Sequence, residues 1–278
     1  MKARSAILGF LLAGALNAIA PFAGASDMLA AASSGSDIQF SQSAPYATDA
    51  EISRRVGYRE ILPAYEVASQ KFRLLVPEAY STNSEWGLFV WISPSDEPRI
   101  PSEWKPELAK HRLLFVGAYD SGNSHLVVNR LRLALDATCN ICRQFKIDRK
   151  RIYVAGFSGG ARVASLIGVA YGDLFTGTLC VCGVDFYRAL TGGPGQFYPS
   201  TYLPDFRVVS QAKKRGRFVL LTGENDFNRD NTKVILEKGL KPDGFSHVLY
   251  QEVPGMKHAI PGAADLNTAL EFLDGTKG

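Results

Sequence analysis

Seven short apolar runs, separated by longer stretches of helical character, constrain the fold of this chain more than any other feature of its sequence. Most of the runs are continuous rather than alternating, which is typical of strands that are covered on both faces. Strands and helices in repetition predict an α/β fold with a mostly parallel, doubly wound sheet and helices on both faces. We predict strands at residues 72–76, 87–92, 113–117, 152–155, 179–184, 218–222 and 248–253.

The segments between these runs predict six helices. The helix predicted at 125–146 carries apolar residues with a period near 3.6, among them Val127, Leu131 and Leu135. The other helices are predicted at residues 101–111, 161–171, 205–214, 230–240 and 263–273. Ligands of such sheets bind beyond the carboxyl ends of the strands. We therefore expect functional residues directly after each strand.

The first 25 residues have the pattern of a secretory signal peptide. Lys2 and Arg4 precede an unbroken apolar run over residues 6–16, and Ala23-Gly24-Ala25 supplies the small residues of a cleavage site. The run is shorter than the roughly 20 apolar residues that a spanning helix needs. We therefore expect a secreted or periplasmic protein with no stable membrane insertion after cleavage. Residues 26–57, rich in Ala, Ser, Gly and Asp, predict a flexible lead-in, and residues 58–278 predict one folded domain.

Charge and cysteine content narrow the function further. Without Lys2 and Arg4 the chain has 29 basic and 27 acidic side chains. A net charge of +2 does not indicate a nucleic-acid-binding protein. An even number of cysteines in an exported chain suggests disulfides, and a helix-to-strand bridge is more plausible than a local one, with buried free thiols as the alternative. The spacing is not that of a usual zinc site, so no metal or other cofactor is predicted. The four cysteines are Cys139, Cys142, Cys180 and Cys182.

One pentapeptide carries the clearest chemical signal in the chain. Gly156-Phe157-Ser158-Gly159-Gly160 lies directly between a predicted strand and a predicted helix. In that position G-x-S-x-G is typical of a nucleophile turn, whose tightness requires small residues two positions before and after the serine. We predict that Ser158 is the nucleophile and that the Gly159 N–H donates to an oxyanion. The alternative is a glycine-rich turn with a capping serine.

A serine nucleophile needs a general base, and the chain offers four histidines. One of them, His258, follows the last predicted strand and precedes the last helix, which brings it to the same sheet edge as Ser158. The order Ser, acid, His along the chain also fits this placement. We predict that His258 is the base. The remaining candidates are His111, His125 and His247.

The acid that orients the histidine is expected after the strand at 218–222. Asp226 lies three residues beyond the glycine that closes this strand, and Glu224 is the nearest alternative. Asp185, after the preceding strand, is a weaker third candidate. We predict Asp226 as the acid that fixes the His258 tautomer. The alternative role of Asp226 is a helix N-cap.

The loop after the strand at 87–92 is expected to supply a second oxyanion donor. Pro94 has no N–H, so Ser95 is the first candidate and Ser93 the second. Substrate-binding residues are expected at strand ends, where Trp91, Tyr187 and Phe227 are our candidates, although each could equally be a packing residue. Asp120, Asn123 and Phe186 occupy similar positions.

With these motifs the chain resembles the α/β-hydrolases, in the group of secreted esterases that includes feruloyl-esterase-like and polyhydroxybutyrate-depolymerase-like proteins. The resemblance rests on three segments, residues 147–160, Gly223-Glu-Asn-Asp-Phe-Asn-Arg and Gly255-Met-Lys-His. The resemblance spans roughly residues 71–273 and implies a Ser-His-Asp triad, an acyl-enzyme intermediate and an ester of a small molecule or a polymer end as substrate. Loop 93–96 lacks the His-Gly pair of many members. No long insertion follows the strand at 179–184, so we expect no separate lid domain. A serine peptidase and a non-catalytic binding module are the alternatives.

Overall fold

The computed structural model describes residues 35–275, and an eight-stranded sheet runs through its centre. The strands of this sheet are β1 (Ser36–Ile38), β2 (Phe72–Leu75), β3 (Trp86–Ile92), β4 (Leu113–Ala118), β5 (Ile147–Phe157), β6 (Gly177–Val181), β9 (Arg217–Gly223) and β10 (His247–Val253). Their order across the sheet is β1-β2-β4-β3-β5-β6-β9-β10. The pairs β1/β2 and β2/β4 are antiparallel, and the five remaining pairs are parallel.

Helices cover both faces of the sheet. The helices are α1 (Asp49–Val56), α2 (Trp104–Lys110), α3 (Val127–Gln144), α4 (Gly159–Ala170), α5 (Phe206–Arg215), α6 (Arg229–Val234) and α7 (Ala263–Leu273). Apolar side chains of α1, α3, α4 and α5 pack into one core, and those of α2 and α7 pack into a second core on the opposite face. The predicted fold, a doubly wound and mostly parallel sheet with helices on both faces, is confirmed.

Strand β3 illustrates why the apolar runs are continuous. Successive side chains of a strand point to opposite faces, and all seven residues of β3 are buried. Leu88 and Val90 contribute to the first core, whereas Phe89 and Trp91 contribute to the second. The helix predicted at 230–240 is divided, since α6 continues as a π-helix over Ile235–Leu240.

The flexible lead-in predicted for residues 26–57 is wrong over residues 36–56, which form β1, a 3₁₀ turn and α1. Ile52 is fully buried and Phe40 nearly so, both within the first core. Arg55 of α1 is also buried, and its guanidinium pairs with the Asp173 carboxylate. A small number of well-placed apolar anchors therefore orders a segment whose composition indicates a linker. The predicted signal peptide, residues 1–25, lies outside the described residues.

The segment between β6 and α5 carries a short hairpin, β7 (Leu190–Thr191) and β8 (Phe197–Tyr198), and no separate lid domain is found within residues 35–275. All four cysteines are free thiols, so the predicted helix-to-strand bridge is absent. Cys180 and Cys182 lie in different cores, because the chain turns at Cys182, where φ is 54°. Among residues 35–275, no helix combines the length and apolarity needed to cross a bilayer.

Candidate active site

Ser158 lies between the end of β5 and the beginning of α4, in a backbone conformation that a non-glycine residue rarely adopts. Its φ is 55° and its ψ is −119°. Such a conformation costs on the order of 1–3 kcal/mol and persists only where the surroundings impose it. The turn is closed by Gly156, since a Cβ there would lie 2.4 Å from the carbonyl carbon of Gly160. The strained turn lifts the Ser158 side chain above the carboxyl edge of the sheet.

The three predicted catalytic side chains form one hydrogen-bonded chain. His258 Nε2 lies 2.9 Å from Ser158 Oγ, and His258 Nδ1 lies 2.8 Å from Asp226 Oδ1. A carboxylate only accepts hydrogen bonds, so Nδ1–H donates to Asp226 and the neutral imidazole leaves Nε2 free to accept from the Ser158 hydroxyl. The fold thus brings His258 into contact with Ser158, 100 residues away in the sequence, and with Asp226, 32 residues away. The arrangement can transfer a proton from the serine to the imidazole.

Asp226 is held in its ionised form by its neighbours. Its side chain is fully buried, which alone would raise the pKa of the carboxyl group. Hydrogen bonds from the Asn228 backbone N–H, from His258 and from the Thr222 hydroxyl outweigh burial and lower the pKa of Asp226. The Asn228 side-chain amide also donates to the Cys182 carbonyl at 2.8 Å, which ties the acid loop to the end of β6. A charged carboxylate is therefore available to orient His258.

The other candidate bases and acids have different partners. His111 bonds Asp274 at 2.6 Å through Nδ1, far from the triad in the fold, and His125 bonds the Asp96 carboxylate at 2.9 Å. The Glu224 carboxylate accepts from the Gly255 backbone N–H. Asp185, the third candidate acid, pairs with Arg162. None of these groups, all within residues 35–275, takes the place of His258 or Asp226 beside Ser158.

The two predicted oxyanion donors differ in their surroundings. Gly159 is the first residue of α4, and the first N–H groups of a helix have no acceptor within the helix. The Ser95 N–H already donates to Ser93 Oγ at 3.1 Å, so it would have to exchange this partner to serve an oxyanion. The loop that carries it contacts the nucleophile turn closely, since a Cβ at Gly160 would lie 2.0 Å from the Ile92 carbonyl oxygen.

Two aromatic rings flank the imidazole. Phe227 is 76% exposed, and its ring centroid lies 4.1 Å from that of His258, so the predicted substrate-binding residue is at the site. Phe157, which the sequence reasoning missed, packs on the same imidazole at 4.9 Å. Its position directly before Ser158 was the available signal. The two rings pack on the imidazole and limit its orientations.

The other two candidate substrate-binding residues have packing partners of their own in the structure. Trp91 is 2% exposed and packs against Trp104 in the second core. Tyr187 hydrogen-bonds Asp243 and packs on Tyr202. Among the described residues, no hydrogen bond or ring contact joins either of them to the triad.

Two groups of side chains within residues 35–275 could hold a cation. Ligand atoms of Cys182, Asp226 and His258 lie within 4.8 Å of one another, as do those of a second group on the surface. In the first group a cation would compete with the hydrogen bond between His258 and Asp226. Burial raises the pKa of the Cys182 thiol to about 12, which keeps it protonated and a poor metal ligand. The second group is Asp96, Asp120 and His125.

No family model and no curated protein matches the sequence, whereas many solved structures match the fold. A feruloyl esterase module from Clostridium thermocellum, solved with sinapinate, is 11% identical with a TM-score of 0.54, over 86% of this chain and 87% of that chain. S-formylglutathione hydrolase from Staphylococcus aureus is 13% identical with a TM-score of 0.55, over 85% and 94%. Dipeptidyl peptidase 4 from Porphyromonas gingivalis is 16% identical with a TM-score of 0.54, over 76% of this chain and 34% of that one.

These similarities define the class of fold. The chain has the α/β-hydrolase fold, with the strand order and the placement of Ser158 described above. It spans most of the length of the two hydrolases and about a third of the length of the peptidase. A fold hosts many functions, so the function of this chain depends on its own side chains.

Proposed function

We propose that this protein is a serine hydrolase that cleaves carboxylic esters through an acyl-enzyme intermediate. The observation that carries the proposal is the hydrogen-bonded chain from Ser158 through His258 to Asp226, at a strained turn on the carboxyl edge of the sheet. A structural serine would have no need of a positive φ, an imidazole on its hydroxyl and a buried carboxylate on that imidazole. The substrate is an ester of a small molecule or of a polymer end.

In the proposed reaction Ser158 Oγ attacks the carbonyl carbon of the ester while His258 Nε2 takes the hydroxyl proton. The resulting oxyanion accepts hydrogen bonds from the Gly159 N–H and from the loop at residues 93–95. Collapse of the tetrahedral intermediate breaks the bond to the alcohol oxygen, which receives the proton from His258. Water then repeats the sequence on the acyl-enzyme, so that the acid is released and Ser158 regains its proton. Asp226 stays ionised and stabilises the imidazolium.

The test uses purified protein and 4-nitrophenyl esters of graded acyl length, with Ser158→Ala as the matched control. We expect turnover that disappears in Ser158→Ala and labelling of Ser158 by a fluorophosphonate. Equal rates for the wild type and Ser158→Ala on every ester, together with no fluorophosphonate labelling, would refute a serine hydrolase and favour a binding module.

A serine peptidase is the second candidate, because dipeptidyl peptidases are among the proteins of similar fold. Peptide 4-nitroanilides distinguish the two, since a peptidase cleaves them and an esterase leaves them intact. Labelling of Ser158 without turnover of simple esters would favour this candidate.

We also propose that the protein is exported, on the signal-peptide pattern around Lys2, Arg4 and Ala25. N-terminal sequencing of the protein from periplasmic or culture fractions tests this point. A first residue near position 26 is expected, whereas an intact Met1 in the cytoplasmic fraction would contradict export.

A further inference from the structure

A cavity of about 410 Å³ adjoins the nucleophile turn. Gly159 lies in its wall, and the Asn123 amide lies against Gly159, since a Cβ at residue 159 would meet Asn123 Oδ1 at 2.0 Å. The cavity therefore begins at the backbone group proposed to bind the oxyanion. Apolar side chains of α1, α3 and α4 form most of its wall, among them Ile52, Val56, Val128, Leu131, Val163 and Leu166.

One wall residue does not fit an apolar ligand. Arg130 of α3 is only 4% exposed, and it lines the cavity. One Nη donates to the Ser93 carbonyl oxygen at 3.0 Å, and the remaining donors of the guanidinium, including the fully buried Nε, have no partner among residues 35–275. No carboxylate in that range forms an ion pair with Arg130. A guanidinium carries five donors, so most of its bonding capacity is unused.

The other deeply buried arginines show what is missing. Arg55 pairs with Asp173 and Glu51, and Arg132, also on α3, pairs with Asp49. Buried charges are ordinarily paired because an unpaired one loses its hydration without compensation. Arg130 is the exception among these three.

The net charge of the cavity wall is positive. Arg162 and Asp185 in the wall neutralise each other through their ion pair, which leaves the single positive charge of Arg130. Burial lowers the pKa of Arg130 to about 10, and at neutral pH it is still protonated. The Tyr202 hydroxyl, also in the wall, is buried without a hydrogen-bond partner. A cation and an unpartnered hydroxyl donor in the wall of one apolar cavity are groups that an anionic ligand could satisfy.

We propose that the ester cleaved by this protein carries a carboxylate, which enters the cavity and pairs with Arg130. The inference rests on the proposed function, because the cavity is a substrate site only if Ser158 is the nucleophile beside it. Monoesters of dicarboxylic acids and esters of hydroxy acids both supply this group, the first on the acyl side and the second on the alcohol side. In either case an apolar spacer occupies the aliphatic wall and the charged end reaches the guanidinium.

The test compares charged and neutral esters of matched size on the wild type. On the acyl side, mono-4-nitrophenyl glutarate is compared with methyl 4-nitrophenyl glutarate. On the alcohol side, 3-acetoxybenzoate is compared with methyl 3-acetoxybenzoate. A charge-assisted hydrogen bond predicts a preference for the carboxylate of about 10- to 100-fold in kcat/KM in one of the two pairs. A neutral ester that is cleaved equally well or better in both pairs overturns the proposal.

Two variants separate recognition from folding. Arg130→Gln removes the charge, and we expect the preference for the carboxylate to disappear while some turnover of the neutral ester remains. Arg132→Gln is the matched control, because it removes a buried guanidinium from the same helix outside the cavity. It is expected to lower stability and to leave the ratio between the paired esters as it is in the wild type. An unchanged ratio in folded Arg130→Gln contradicts the role of Arg130.

A binding measurement keeps this inference distinguishable from the proposed function. Glutarate is expected to raise the Tm of the wild type and of Arg132→Gln, and to leave that of Arg130→Gln unchanged. If no ester is cleaved but glutarate stabilises the wild type in this way, the hydrolase proposal fails and the anion site stands. If neutral esters are cleaved and glutarate stabilises none of the three proteins, the hydrolase proposal stands and the anion site fails.

Discussion

The contact between Gly160 and β3 allows a quantitative test of how the nucleophile turn is built. A methyl group at residue 160 would lie 2.0 Å from the carbonyl oxygen of Ile92, where an ordinary contact begins at 3.4 Å. The carbonyl oxygen belongs to the backbone and the position of a Cβ is fixed by the backbone, so neither can turn away. Gly160→Ala must therefore move the end of β3 and the start of α4 apart by 1.4 Å, the difference between the two distances. Ser93 and Ser95 follow Ile92 directly, and the proposed oxyanion site therefore widens.

A displacement of this size predicts a loss in kcat of about 10²-fold, comparable with the loss of one oxyanion donor. The stability change is smaller, because overpacking costs about 1–3 kcal/mol while alanine is favoured over glycine in a helix by about 1 kcal/mol. We would measure ester turnover together with urea unfolding. Gly193→Ala is the control, since its Cβ would meet only the Gln196 side chain, with Oε1 at 3.5 Å as the nearest atom. Turnover by Gly160→Ala within threefold of the wild type would refute the reasoning.

Three further predictions concern the triad and its aromatic neighbour. Ser158→Gly should be about 1 kcal/mol more stable than Ser158→Ala in urea unfolding, because glycine accepts a φ of 55° without strain; equal stability would contradict a strained turn. Asp226→Asn should lower kcat about 10⁴-fold by favouring the wrong His258 tautomer. Because the pKa of Asp226 is lowered in the folded state, its contribution to stability is complete above the ordinary carboxyl pKa and is lost as pH falls through the lowered one. The difference in unfolding free energy between wild type and Asp226→Asn should therefore narrow below about pH 4, and a difference that widens there would contradict the lowered pKa. Phe227→Ala should change stability by less than about 0.5 kcal/mol, since the ring is 76% exposed, yet it should reduce turnover because the ring packs on His258; unaltered turnover would make Phe227 a bystander.

The parallel sheet could be predicted from sequence because its strands are buried on both faces. A continuous apolar run such as residues 218–222 is sufficient to indicate a strand of this kind, and the strand extends only one residue further at each end. The candidate triad could be predicted for a related reason. Strand order fixes the edge at which a loop lies, so Ser158, Asp226 and His258 are brought to one edge by topology rather than by details of packing.

Composition misled the prediction at the N-terminal segment. Small and polar residues dominate it, but burial of Phe40 and Ile52 is enough to fix it on the first core. Such sparse anchors cannot be distinguished from chance in a segment without periodicity. A similar limit applies to Trp91. The sequence indicates its position near the end of β3, but not the side of the sheet that its ring faces, since both faces of a buried strand are apolar.

Arg130 shows a limit of another kind. The sequence places an arginine on an amphipathic helix, where an exposed position on the polar face is the ordinary expectation. That the guanidinium is buried and lacks a carboxylate depends on what the other helices place around it. Only the three-dimensional arrangement of α3, α4 and the loop after β3 reveals this imbalance.

The docking of the N-terminal segment also affects when the molecule becomes complete during its synthesis. The ion pair of Arg55 cannot form until Asp173, 118 residues later in the chain, has been made, and the Ala44 N–H likewise needs Asp136 as its acceptor. A ribosome that adds about 5–20 residues per second needs about 6 to 24 s to make the stretch between Arg55 and its partner. The N-terminal segment is therefore made early but acquires these contacts only after more than a hundred further residues have been made. Until Asp173 is available, α1 lacks this ion pair, one of the contacts that hold Ile52 and Val56 of α1 in the wall of the cavity.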